Sequence, residues 1–80
     1  MRITGKNLIG QRVRKARLAH KPFLRQADLA RLVSKHGAAI DRAGIAKIEN
    51  GLRRVYDFEI VALARTLKVS ATWLLGGRGK

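Results

Sequence analysis

Apolar residues return along this chain at intervals of three and four, the period of a helix, and nowhere alternate with the period of two that a strand requires. Ile9, Val13 and Ala16 make one stripe in the stretch from Asn7 to Ala19, with Arg12, Lys15 and Ala19 turned away from it, which predicts an amphipathic first helix. Pro22 then interrupts the pattern, because its ring biases Lys21 out of the helical region. Leu29, Leu32 and Val33 place a second helix from Gln26 to about His36, with Gly37 as its stop. Ala38 to Ile40 link it to a third, from Asp41 to Asn50. A fourth spans Asp57 to about Leu67, with Ile60, Leu63, Ala64 and Leu67 on its core stripe, and Lys68 and Val69 break it. Ala71 to Leu75 makes a short fifth helix carrying Trp73 and Leu74. The expected fold is all-α, a compact five-helix bundle.

Helix starts support this division. A hydrophobic staple joins an apolar residue just before the cap to another five positions later. Leu24 with Leu29, Ile40 with Ile45, Val55 with Ile60, and Val69 with Leu74 have that spacing, and they imply caps at Arg25, Asp41, Tyr56 and Ser70. Asp41 and Ser70 carry oxygens that accept from free first-turn amides; Arg25 and Tyr56 do not. Asp28 and Glu59 follow those two by three positions and can bond back to the cap N–H groups. Ile3 with Leu8 around Thr4 is a weaker candidate that would start the first helix earlier.

The third helix has two unlike faces. Ile45 and Ile48 lie on one, while Arg42, Ala43, Ala46, Lys47 and Asn50 share the other, and Gly51 closes the helix in the left-handed conformation. Two cations among small side chains, with no carboxylate, suit a surface pressed against a polyanion. This reads as a DNA-recognition helix.

Charge agrees. The 80 residues hold 18 Lys and Arg against 5 Asp and Glu, a formal net charge of +13, and no acid precedes Asp28. Such an imbalance points to nucleic acid or an anionic membrane. No apolar run approaches the roughly 18 residues of a spanning helix, so a membrane partner is not expected. Cysteine is absent, which removes disulfides and thiolate sites; His20 and His36 have no partners at ligand spacing, so no metal or other cofactor is expected. No nucleophile with a base and no phosphate-binding glycine loop occurs, and an enzyme is the poorest fit. The chain divides into a basic N-terminal arm (1–6), a helical domain (7–75) and a glycine-rich basic tail (76–80).

IGQRVRKAR, LRQADLARLV, and above all IAKIENG followed by LRRV and EIVALARTLKVSATWLL resemble the lambda-repressor and Cro type of helix-turn-helix domain, the XRE family, from about Ile9 to Leu75. The resemblance implies that the second and third helices form the DNA-binding pair, with the third in the major groove. It implies base contacts from Arg42, Ala43, Gly44 and Lys47, and phosphate contacts from Gln26, Asn50, Arg53 and Arg54. It also makes Arg17 and Glu49 an ion pair tying the first helix to the third.

There are departures. Val33 to Asp41 is longer than the family's tight turn and reads as one extra turn on the second helix. Arg25 replaces the usual Thr or Ser cap, exchanging a capping bond for a phosphate contact. Gly44 stands where Ser or Thr is frequent, which lowers helix propensity by roughly 1 kcal/mol but admits the backbone close to DNA.

Arg42 could bond guanine O6 and N7 together, or contact phosphate instead; for Arg53 and Arg54 the alternative is a plain charged loop. The function expected is a sequence-specific regulator of double-stranded DNA, a repressor on a two-fold operator, homodimeric at least on DNA and acting in the cytoplasm. An antitoxin or protein-interaction module of the same fold, meeting a partner through the Trp73 and Leu74 end, is the alternative.

Overall fold

Helices begin here where a side chain takes up amides that the first turn leaves free. In the computed structural model, which describes residues 5–78, these are α1 (Gly10–Ala19), α2 (Gln26–Ser34), α3 (Arg42–Glu49), α4 (Asp57–Leu67) and α5 (Ala71–Leu74). Met1 to Thr4, most of the expected arm and half of the Ile3–Leu8 staple, lie outside the described residues, as do Gly79 and Lys80. No strand occurs among the described residues.

Asp41 accepts from the Gly44 amide at 2.7 Å and Ser70 from the Trp73 amide at 3.0 Å, the two conventional caps. The unconventional ones work through their partners: Asp28 accepts from the Arg25 amide at 2.9 Å and Glu59 from the Tyr56 amide at 3.0 Å. α1 starts two residues later than Leu8 because Asn7 Oδ1 accepts from the amides of Ile9 (3.0 Å) and Gly10 (2.8 Å). The same side chain donates to the carbonyls of Ile48 (3.1 Å) and Arg53 (2.8 Å), so one asparagine both starts α1 and fastens it to the end of α3.

The long connection resolves into a tighter turn. α2 ends at Ser34, and the chain continues through bonds of three-residue span to Gly37, whose φ of +96° lets the Ala38 amide reach back to Val33 O. Ala38 and Ile40 are buried, so this connection is part of the core.

α3 packs on α1 and α2, and α4 packs on α1, α2 and α5. Ile9, Val13, Leu29, Val33, Ile45, Ile48, Leu63 and Leu74 fill the centre. α4 buries more than one stripe: Ala62 and Thr66 join Leu63, Ala64 and Leu67, with the Thr66 hydroxyl donating to Ala62 O at 2.8 Å, while Ile60 is half-buried.

Arg12 is not turned to solvent. Its guanidinium lies over the Trp73 ring, 4.9 Å from the centroid, and Nη1 donates to the carbonyls of Trp73 (2.7 Å) and Gly77 (2.6 Å). Trp73 and Leu74 are buried in the chain's own core, and Leu75 is the exposed apolar side chain at the end where a protein partner was expected. No described helix is long and apolar enough to cross a membrane.

Candidate nucleic-acid interface

Asp41 sets the N-terminus of α3 and Gly51, at φ +73°, turns the chain away at its end. Between them Ile45 and Ile48 are wholly buried, which forces the opposite face outward: Arg42, Ala43, Lys47 and Asn50 are exposed and Ala46 is half-buried. The one carboxylate within α3, Glu49, is buried. The outer face thus carries the positive charge and small side chains anticipated for it.

Gly44 is placed differently. It is buried, and a β-carbon there would come within 2.8 Å of Ile40 Cγ2 and 3.0 Å of Asp41 Oδ1. A larger residue here would press on the chain that enters α3, and the Gly44 backbone also borders the outer surface beside Ala43 and Lys47.

Glu49 organises the junction of three helices. It receives Arg17 Nε at 2.7 Å and Nη2 at 3.0 Å, and Arg17 Nη1 donates to Leu24 O at 3.0 Å. Gln26 Nε2 donates to the same carboxylate at 3.1 Å. The Arg17–Glu49 pair is therefore present as a two-pronged buried bridge between α1 and α3. Gln26, half-buried at the start of α2, has its amide oriented by Glu49 with its second N–H still free of any partner in this network. Arg25 beside it is exposed and only loosely tied, its Nε 3.8 Å from Asp28 Oδ2.

Arg53 and Arg54 part company. Arg54 is exposed. Arg53 makes a two-pronged pair with Glu59, Nη1 to Oε1 at 2.9 Å and Nη2 to Oε2 at 2.8 Å, and Nη1 also donates to Arg54 O at 2.9 Å. The hydrogen bonds from Arg53 hold the Glu59 carboxyl below the usual carboxylate range, against the opposing effect of burial, and the same bonds raise the Arg53 guanidinium. The sequence showed Glu59 as a bond to its cap but gave no sign of this pairing.

Lys6 is the residue that sequence reasoning left in the arm. Its amide donates to Gly51 O at 2.8 Å, and its side chain lines a concave surface together with Asp41, Ala43, Gly44, Lys47, Leu52, Arg53 and Arg54.

No family model matches the chain, and no curated protein matches it. Among solved structures it is similar to the P22 c2 repressor protein in complex with synthetic operator 9T in the presence of Tl+, at 27% identity and a TM-score of 0.73, over 91% of this chain and 100% of that one. Five helices in this order, with α1 bolted to the end of α3 and α3's basic face left open, give the chain the lambda-repressor-like helix-turn-helix fold.

Proposed function

We propose that this chain is a sequence-specific double-stranded DNA-binding regulator, a repressor that occupies a two-fold operator as a homodimer in the cytoplasm. One observation carries the reading: α3 exposes Arg42, Ala43, Lys47 and Asn50 while its single carboxylate is buried and bonded internally, in a fold shared with a repressor solved on an operator. Laid in the major groove, such a face brings Arg42 to guanine O6 and N7, and Lys47 and Ala43 to neighbouring base edges. Asn50, Arg54, Arg25 and the free N–H of Gln26 fix the register on the phosphates, and each neutralised phosphate releases counterions. Occupying a promoter in this way blocks transcription.

The reading is tested by titrating labelled duplex across a range of salt. Affinity that falls steeply with salt supports it; binding indifferent to salt contradicts it. A second reading, an interaction module or antitoxin with autoregulatory DNA binding, is favoured by Tyr56 and Phe58, exposed side chains whose rings stack with centroids 5.9 Å apart. Co-purification of one specific partner through those residues would support it.

A further inference from the structure

We infer that the phosphate-binding cations beside the C-terminal end of α3 are Lys6 and Arg54, and that Arg53 between them is a positioning residue whose charge is withheld from DNA by Glu59. The inference rests on the DNA-binding reading and deepens it.

Glu59 is 4% exposed, and its oxygens accept three bonds: Arg53 Nη1, Arg53 Nη2 and the Tyr56 amide. A phosphate that drew Arg53 away would leave this buried carboxylate with the Tyr56 amide alone, and an uncompensated buried charge is strongly unfavourable. The phosphate would have to supply more than it gains. Arg53 is also bonded to Arg54 O. Three of its five N–H groups are thus used inside the fold, where they weld the loop after α3 to the start of α4.

Lys6 is in the opposite situation. Gly5, at φ +94°, lies so close to Gly51 that a β-carbon would stand 2.8 Å from Gly51 O, and the Lys6 amide donates to that same oxygen. The chain before α1 is therefore fixed against the turn that ends α3. This brings the exposed Lys6 side chain to the concave surface that Lys47 and Arg54 also line, where Arg53 stands already paired with Glu59 and Asp41 is bonded to the Gly44 amide. None of these three cations has a carboxylate partner among the described residues, whose ion pairs use Arg17, Arg25 and Arg53. An unpaired ammonium, tethered through its own backbone to the end of the outward-facing helix, brings a full positive charge to a phosphodiester, whereas the charge of Arg53 is already balanced by Glu59.

The test is the salt dependence of binding to one short random-sequence duplex, measured for the full chain and three variants. Each phosphate neutralised contributes about 0.9 to the slope of log affinity against log salt. Lys6→Ala and Arg54→Ala should each lower the slope by about that amount. Arg53→Met combined with Glu59→Gln removes one charge of each sign and should leave the wild-type slope. The inference is overturned if the double variant loses as much slope as Arg54→Ala, or if Lys6→Ala, which alters an exposed side chain and leaves the fold intact, keeps the full slope. Failure of the wild-type chain to bind any duplex would instead overturn the parent reading, and this one with it.

Discussion

Glu49 ends α3 with its carboxylate turned inward onto Arg17, Nε to Oε2 at 2.7 Å and Nη2 to Oε1 at 3.0 Å. Both side chains are almost wholly buried, and Gln26 of α2 donates to the same group. The bridge thus sets where α3 lies relative to α1 and α2. Replacing Arg17 with Met leaves a buried carboxylate without its counter-charge, a change that costs about 3–5 kcal/mol. Urea unfolding should show a correspondingly lower midpoint. A loss under about 1 kcal/mol, the range of surface pairs, would mean that the bridge is solvated.

Gly10→Ala tests the crossing of α1 and α3 by the sign of its effect. Helix propensity alone favours alanine by up to about 1 kcal/mol. A β-carbon at Gly10, however, would overlap the Ile48 carbonyl oxygen and press on Glu49 O at 3.0 Å, both backbone atoms that cannot turn aside. The variant should be less stable than the parent in thermal unfolding; a stabilised variant would contradict the close packing.

Acid should weaken the fold through Glu59. Arg53 holds this carboxyl below its ordinary value of 4.5, so its contribution is fully present above that value and is lost as pH falls through the lower folded-state value. Arg53 is shifted upward, so its share persists to strongly alkaline pH. Stability measured between pH 6 and about pH 3 should therefore decline in the parent and decline less in Glu59→Gln, which starts lower at neutral pH. Parallel curves would show that Glu59 is not a native-state acid of unusual strength.

On DNA, Arg42 and Arg54 should fail in different ways. Arg42→Ala removes the side chain proposed to read a base and should relax preference at one base pair, at a cost of about 1–3 kcal/mol on the preferred sequence. Arg54→Ala should weaken preferred and random duplexes alike. Equal losses from both variants on both kinds of DNA would overturn this division of roles.

Much of this was written into the sequence where the signal is local. α4 runs from Asp57 to Leu67 as its periodicity predicts, and Asp28 and Glu59 bond back to the unusual caps at Arg25 and Tyr56. These are relations over three residues, set by helix geometry. What stayed hidden depends on how distant segments meet. Asn7 sits three residues before Gly10, a spacing that suggests a cap, but its bonds to Ile48 and Arg53 cross 41 and 46 residues. The burial of Gly44 follows from the path of Ile40 into α3, and the pairing of Arg53 follows from the turn of the loop toward α4.

Selection of bound duplexes from a random DNA pool at near-physiological salt tests the central claim most directly. A dimeric regulator reading bases through α3 predicts enrichment of a two-fold motif whose half-sites lie about one helical turn, roughly 10 base pairs, apart. Binding that persists with no enriched motif would contradict it, and would leave the positive charge of the surface, not the order of side chains on α3, as what holds the DNA.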